Sequence, residues 1–505
     1  MALEKLLHSS VGYRTALESR HESPTLDPVR LVDELRQQLY PWFLDSATRD
    51  GDQARFSFAG SDPYLVARAY SSRVEIECRR AVRPDWEPGR CVLEGPPLAV
   101  LRALLPQLAR EDQAERSPFV GGAVGYLGYE FGSQIEPVES RTDDDLGLPD
   151  FVFLLVDHVV VFDHLERTVR SHALGFGANP AQARLRARQR LAEILPSESA
   201  VGAAEPSRSN GGGTPLPEGS RQSTLKTRFP AELVVPFDEA AYAKSVTRIL
   251  EEIAAGNVYQ VDLTHRMDIA YRGDPFTLYR RLRSINPAPF AAFLELPEVS
   301  ILSSSPERFL RVDAAGCVES RPIKGTRRRG LTAAQDDELA RELRDSEKDR
   351  AENLMIVDLV RNDLGKVCRA GSVAVPELMR LETLASVFQL VSRVNGMLRE
   401  DCDALDAVAA AFPPGSMTGA PKIAAMEWID RLETVRRGVY SGAMGYFDAR
   451  GGADLSVVIR TLLVCGGRAY LQVGGGVVAD SDPADEYRET LDKARALLAA
   501  LEATA

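Results

Sequence analysis

The feature that most constrains the fold is an interruption. The stretch SESAVGAAEPSRSNGGGTPLPEGSRQST, from about Pro196 to Thr227, is rich in Ser, Gly and Pro and poor in apolar residues, the composition of a connector. It divides the chain into residues 1–195, a linker at 196–229, and residues 230–505. Before it, the strand-like runs VEIECRRAV and FVFLLVDHVVVFDH precede an amphipathic helix, PAQARLRARQRLAEIL, with proline in its first turn. After it, helical and strand patterns alternate to the end. No period of 20 to 50 residues recurs, which argues against a solenoid. With 505 residues, 44% of them hydrophobic, the chain can bury an extensive core. The mixed patterns give an α+β class without fixing the strand order.

Composition narrows the function. No apolar run approaches the roughly 20 residues that span a bilayer, and the start, MALEKLLHSSVGYR, lacks the apolar centre of a signal peptide. A cytoplasmic protein without membrane contact is expected. The six cysteines are scattered with no C-x-x-C, so neither a zinc site nor a disulfide framework is indicated. A net charge of −12 repels nucleic acid, and Arg327 to Arg329 are too short a basic run to track phosphates. An anionic small substrate would need a local basic site. Gly121 to Gly125 lack dinucleotide-binding spacing, and GSMTGAPK is not a phosphate-binding Walker loop.

Several residues nevertheless suggest chemistry. In Arg321-Pro322-Ile323-Lys324-Gly325-Thr326, one lysine stands between a strand-like run and a glycine turn, where an amine can be aimed. As a nucleophile it must be neutral, so a site that lowers its usual pKa of about 10.4 is expected. In the last helix, capped by Asp482-Pro483, Glu486, Glu489 and Lys493 share one face. SEKDRAENLMIVDLVRND repeats the spacing with Asp349 and Glu352. Two helices with paired carboxylates can be solvated stripes or can share a cation, and all-carboxylate ligation suits Mg²⁺. Arg460, in the strand-like run LSVVIRTLLV, faces either solvent or a substrate carboxylate. Ser305-Pro306 caps a turn that leaves Glu307 at its mouth, while Gly474 to Gly476 and the loop around Ser416 either make plain turns or offer backbone N–H groups to an anion.

Taken together, Arg321-Pro322-Ile323-Lys324-Gly325-Thr326, Ser305-Pro306-Glu307, Arg350-Ala351-Glu352-Asn353, Gly415 to Lys422, Val458-Ile459-Arg460-Thr461 and Gly474-Gly475-Gly476 resemble the chorismate-utilising family. Lys324 points to one branch of it, that of aminodeoxychorismate synthase component I. The resemblance implies two orthogonally packed β-sheets flanked by helices, with both halves of the chain contributing strands and an active site in the core cleft. It implies that Glu352 and Glu489 bind Mg²⁺ and bridge to the ring carboxylate of chorismate, with Asp349 and Glu486 in an outer layer. Arg460 and Tyr440 would hold the enolpyruvyl carboxylate, and Gly325, Thr326, Gln389, Ser416, Gly476 and Lys493 would complete the substrate site. Glu307 would be the general acid and base. Lys324 would attack ring carbon 2, the carbon 4 hydroxyl would leave, and ammonia would expel the lysine from carbon 4. The product would be 4-amino-4-deoxychorismate, a precursor of p-aminobenzoate and folate.

Three further expectations follow from the resemblance. Gln389 stands where many relatives carry histidine, so any proton-transfer role of that imidazole must lie elsewhere. Residues 43–47, 56–58, 121–126 and 286–290 resemble the elements around a tryptophan pocket. No G-x-C-x-G turn supplies a glutaminase nucleophile, so ammonia would come from a separate glutaminase subunit. The alternatives are anthranilate synthase component I, whose members usually carry alanine in place of Lys324, and isochorismate or salicylate synthase. The isochorismate formers activate water with a lysine shortly before a Leu-Ser/Thr pair, where this chain reads Gln260-Val261-Asp262-Leu263-Thr264. A non-catalytic relative should have lost some of Lys324, Glu307, Glu352, Glu489 and Arg460, and all are present.

Overall fold

The computed structural model describes residues 13–48, 53–83, 86–108, 117–193, 232–384 and 387–502, and the expected linker at 196–229 lies outside them. Phe151–Val156 shows why the chain builds layers. All six of its residues are buried, because a helix layer covers one face of its sheet and a second sheet covers the other. A strand buried on both faces reads as a continuous apolar run and not as an alternation.

Among the described residues there are two large antiparallel sheets. One runs, in spatial order, through Arg14–His21, Thr168–Gly177, His158–Asp163, Phe56–Gly60 and Trp42–Asp45, then Phe290–Glu295, Ser300–Ser305, Thr461–Cys465, Arg468–Val477, Gln260–Ala270 and Gly419–Ala420. The other runs through Ile323–Arg328, Val387–Met397, Cys317–Ser320, Arg308–Val312, Ala453–Val457 and Ala443–Asp448, then Gly122–Leu127, Phe151–Val156, Leu65–Tyr70, Arg73–Cys78 and Gly89–Glu94. Each sheet therefore passes from one half of the chain to the other. In the first sheet the join is Trp42–Asp45 against Phe290–Glu295, and in the second it is Gly122–Leu127 against Ala443–Asp448.

The sheets share a core in which Trp42, Phe58, Phe119, Tyr126, Leu294, Ile301, Met444 and Tyr446 interdigitate. Their outer faces are covered by helices, including Pro275–Ile285 and Pro483–Glu502 on the first sheet and Pro97–Leu104 and Ala404–Ala411 on the second. Several strands leave one sheet and continue in the other. The run FVFLLVDHVVVFDH, expected as one strand, breaks at buried Asp157, with Phe151–Val156 in one sheet and His158–Asp163 in the other. Such corners join packed sheets whose strands cross at a large angle.

Near one end of the sheets a buried ion pair ties three segments together. Glu433 accepts hydrogen bonds from the Thr264 N–H and hydroxyl and from Arg437, whose guanidinium also donates to the carbonyls of Met417 and Asp262. Both side chains are almost fully buried, so removing one charge strands the other. Glu433→Gln should cost about 3–5 kcal/mol. Replacing both partners together, as Glu433→Gln with Arg437→Met, should recover part of that loss. Denaturation midpoints of the single and double variants test this, and an unmoved midpoint in Glu433→Gln would show that the pair does not hold these segments.

Candidate active site

Two sheet-to-sheet crossings lie side by side and form the floor of the site. Ser300–Ser305 passes to Arg308–Val312 through Pro306-Glu307, and Ala453–Val457 passes to Thr461–Cys465 through Val458-Ile459-Arg460. The crossings are hydrogen-bonded to each other: Ser305 Oγ donates to the Val457 carbonyl, the Val457 N–H to the Glu307 carbonyl, and the Ser304 N–H to the Arg460 carbonyl. The continuous strand expected around Arg460 is thus broken. Arg460 sits at the bend with φ +52°, a left-handed conformation that side-chain-bearing residues seldom adopt. The bend turns the residue off both ladders, and it lines a cavity with Tyr440, which is 7% exposed.

Glu307, also 7% exposed, occupies the other crossing. Burial pushes its carboxyl up to about 7; a hydrogen bond from Ser416 and the charge of Lys324 act the other way, and Asp262 adds to the rise. A carboxyl poised near neutrality can both give and take a proton.

Lys324 is placed by a bulge and not by the expected turn. Ile323–Arg328 is one strand paired with Val387–Met397, and its register slips between Ile323 and Thr326. Gly325, at φ +84°, takes the strained position of the bulge, and a Cβ there would come within about 3 Å of Leu343 and Asp349. The slip turns Lys324 out of the ladder, and it lines the cavity. The expectation of a lowered amine pKa is not met. Burial, the largest influence, does lower it, but Glu352, Asp262, Glu307 and Glu489 together raise it above the ordinary lysine value. These carboxylates favour the ammonium form of Lys324.

The paired acids stand on Glu347–Gly365 and Pro483–Glu502, the second helix capped by Asp482 as its sequence suggests. Asp349 is turned to Arg327 at 3.0 Å, and Glu486 accepts from Ser481 Oγ at 2.6 Å and lies 3.5 Å from Lys348. Glu489 pairs with Lys493 at 2.8 Å, and Lys493 also donates to the Gly474 carbonyl. Burial raises the Glu352 carboxyl, with Lys324 and Lys348 opposing. Among the described residues, no three or more His, Cys, Asp or Glu side chains gather at metal-binding distance. Asp349, Glu486 and Glu489 are each engaged by a cation, and together with Glu352 they line the same cavity. Mg²⁺ takes one or two protein carboxylates beside water and substrate oxygens, so this donor set fits it.

Gly474 to Gly476 are not a turn. They lie within Arg468–Val477, opposite Thr264, Leu263 and Asp262, and a side chain there would fill the site. A Cβ on Gly475 would stand 3.0 Å from Glu486, and one on Gly476 2.2 Å from the Gln260 amide and 3.5 Å from Lys324 Nζ.

Every candidate from the sequence lines one cavity of about 670 Å³: Lys324, Glu307, Arg460, Tyr440, Gly476, Gly325, Thr326, Ser416, Gln389, Lys493, Glu352, Glu489, Asp349 and Glu486. The structure adds Asp262, Gln472, Lys348 and Arg327 to the wall. Alternating polar residues at 260, 262 and 264 signalled a strand face that carries more than packing, and Arg327 was hidden in what looked like a solvated basic run. A second cavity, of about 300 Å³, brings together Leu44, Ser46, Phe56, Phe58 and Pro289, from the segments likened to a tryptophan pocket, with Arg308 and Tyr446. Gly121 to Tyr126 do not line it.

Comparison with known proteins agrees with this geometry. Residues 54–499 match the chorismate binding enzyme family, and the chain belongs to that family. It is similar to an aminodeoxychorismate synthase of Streptomyces griseus, 43% identical over 92% of this chain and 61% of that protein. The chain thus spans about 61% of the length of that relative. It is also similar to aminodeoxychorismate synthase component 1 of Bacillus subtilis, 37% identical over 89% of each chain. Among solved structures, anthranilate synthase component I of Streptococcus pneumoniae superposes with a TM-score of 0.72 at 30% identity, covering 89% of this chain and 94% of that one. The α+β architecture of two helix-flanked antiparallel sheets is that of the chorismate-utilising enzymes.

The buried state of Glu307 makes a stability prediction. A carboxyl raised to about 7 favours its neutral form, so its contribution to stability is full below the ordinary carboxyl pKa and is lost as pH rises through about 7. Glu307→Gln keeps the neutral shape at every pH. The variant should match the parent near pH 4.5 and exceed it by about 1–3 kcal/mol at pH 8. Thermal unfolding at the two pH values checks this, and an equal shift at both would mean that Glu307 is not held neutral.

Proposed function

We propose that this protein aminates chorismate at ring carbon 4, the activity of an aminodeoxychorismate synthase component I. The observation that carries the reading is Lys324, turned by its bulge into the same cavity as Glu307 and Arg460. Arg460, with Tyr440 beside it, supplies a fixed positive charge for the enolpyruvyl carboxylate, and Lys493 and the open edge of Gly474 to Gly476 add polar contacts. Lys324 Nζ attacks ring carbon 2 as Glu307 protonates the departing carbon 4 hydroxyl, and ammonia then adds at carbon 4 and releases the lysine. Glu307 afterwards accepts a proton from the new amine. Gln389 has no charge to switch and serves as a hydrogen-bonding wall.

Glu352 and Glu489 would hold Mg²⁺, with Asp349 and Glu486 behind them. When bound, the ion would supply positive charge beside the substrate carboxylate and this acidic wall, so that burial can lower the Lys324 pKa. We place the protein in the cytoplasm, with ammonia delivered by a separate glutaminase subunit and the product entering p-aminobenzoate and folate synthesis. The smaller cavity is the place where tryptophan would bind. Against the anthranilate reading, Lys324 fills the space through which ammonia would reach carbon 2. Against the isochorismate reading, Gln260 stands where a water-activating lysine would be.

Two measurements test the proposal. The purified chain with chorismate, Mg²⁺ and ammonium should form 4-amino-4-deoxychorismate, whereas glutamine should give none without a partner. Lys324→Ala should abolish carbon 4 amination and open a slow anthranilate-type reaction at carbon 2. Undiminished aminodeoxychorismate from that variant would exclude covalent catalysis by this lysine. The metal bridge is tested separately by calorimetry, in which Mg²⁺ should tighten chorismate binding at least about tenfold, the equivalent of one bridging contact of about 1.4 kcal/mol. Glu352→Gln and Glu489→Gln should each remove that gain, and equal affinities with and without Mg²⁺ would discard the bridge.

A further inference from the structure

Tyr440 reaches the cavity from a turn, and that turn is gripped by a residue of the other half of the chain. The Tyr440 N–H closes the turn onto the Arg437 carbonyl at 3.2 Å, and Gly438, its second residue, has φ +60°. Beyond Tyr440, the Ser441 N–H donates to the Val458 carbonyl and the Val458 N–H to the Gly442 carbonyl, so this side is tied to the crossing that carries Arg460. On the near side the holder is Glu130, three residues past the strand Gly122–Leu127. Its Oε1 accepts the Arg437 N–H at 2.8 Å and its Oε2 accepts the Gly438 N–H at 2.9 Å. The neighbouring Tyr129 N–H donates to the Gly438 carbonyl at 2.8 Å, and the Tyr129 ring lies 4.5 Å from the Arg437 guanidinium.

A carboxylate that spans two successive backbone N–H groups fixes both peptide planes, through bonds stronger than those to a neutral acceptor. The fold has other ties here. The Arg437 guanidinium is already held by Glu433 and by the carbonyls of Met417 and Asp262, and the following strand pairs with Gly122–Leu127. What a long side chain does not fix is the direction of the peptides at 437 and 438, and these decide where Tyr440 leaves the turn. Burial lifts the Glu130 carboxyl to about 7, while its own N–H and those of Arg437 and Gly438 act the other way. At pH 8 the carboxylate form, which accepts both bonds, therefore prevails.

We propose that Glu130 is a positioning residue for the substrate site: its two oxygens set the turn 437–440 so that Tyr440 meets the substrate carboxylate beside Arg460. This rests on the reading above in which Tyr440 holds that carboxylate. The half of the chain that supplies none of the expected catalytic or substrate-binding side chains would thereby govern the aim of one of them.

The test is a double-mutant cycle in the full chain, with chorismate affinity measured by calorimetry at pH 8 and saturating Mg²⁺. Glu130→Gln keeps the size of the side chain but turns an amide N–H toward one of the two backbone donors. It should weaken chorismate about tenfold, the loss of one hydrogen bond to a charged group, and Tyr440→Phe should do the same. The double variant should be no weaker than either single one. In steady-state kinetics the chorismate KM of Glu130→Gln should rise by the same factor with kcat within about twofold, as expected when ground-state and transition-state binding fall together. A further readout needs no substrate: hydrogen exchange at residues 437–441 should quicken about tenfold in Glu130→Gln, with the strand Ala443–Asp448 unchanged. Glu130→Asp, which keeps the charge and shortens the reach, serves if Glu130→Gln does not fold. Losses that multiply to about 100-fold in the double variant, a fall confined to kcat, or unaltered exchange would overturn the proposal. Parental affinity in Glu130→Gln alone would remove only the proposal, whereas parental affinity in Tyr440→Phe would remove the reading of Tyr440 and the proposal with it.

Discussion

The structure depends on two strands that change sheets beside each other. A residue at such a crossing belongs to neither ladder, so its side chain can point into the space between the sheets while the backbone on both sides stays fixed. Glu307 and Arg460 occupy the two crossings, and the hydrogen bonds between Ser305, Val457, Glu307, Ser304 and Arg460 hold them in register. An acid and a cation are thereby set on a rigid base without a long loop. Precision of this kind is what a constellation acting on a small anion needs.

The second organising element is electrostatic. Lys324 faces four acidic side chains, Arg460 lies near Tyr440 and Glu489, and Lys493 and Lys348 neutralise parts of the acidic wall. The protein carries a net charge of −12, yet gathers lysines and arginines where its substrate would enter. Cations and carboxylates thus alternate around the cavity wall.

Much of this was legible in the sequence, and the exceptions have physical reasons. The motifs around Lys324, Glu307, Glu352, Arg460 and Glu489 lie far apart in the chain but line one cavity: Lys324, Glu307 and Arg460 stand where a strand bulges or changes sheet, and Glu352 and Glu489 stand within helices. What the sequence hid was the bends themselves. LSVVIRTLLV and FVFLLVDHVVVFDH read as unbroken strands because both flanks of each crossing are buried and apolar, so hydropathy does not register the change of sheet. Gly474 to Gly476 left open a plain turn or backbone N–H groups for an anion, and they lie in a strand from which glycine removes the side chains. The charge state of Lys324 was misjudged for a related reason: burial is visible in a pattern, but the sum of four acids from four segments is not.

The interleaving of the two halves bears on how the chain comes to exist. Gly122–Leu127 waits for Ala443–Asp448 and Trp42–Asp45 waits for Phe290–Glu295, so a nascent chain emerging from the ribosome exposes one incomplete sheet edge past its midpoint and another until its last third is made. Pairings this distant in sequence are slow to form, and open edges invite association with other chains in the interval. The same topology that encloses the reaction between two rigid sheets thus makes biogenesis the most vulnerable period in the life of the protein.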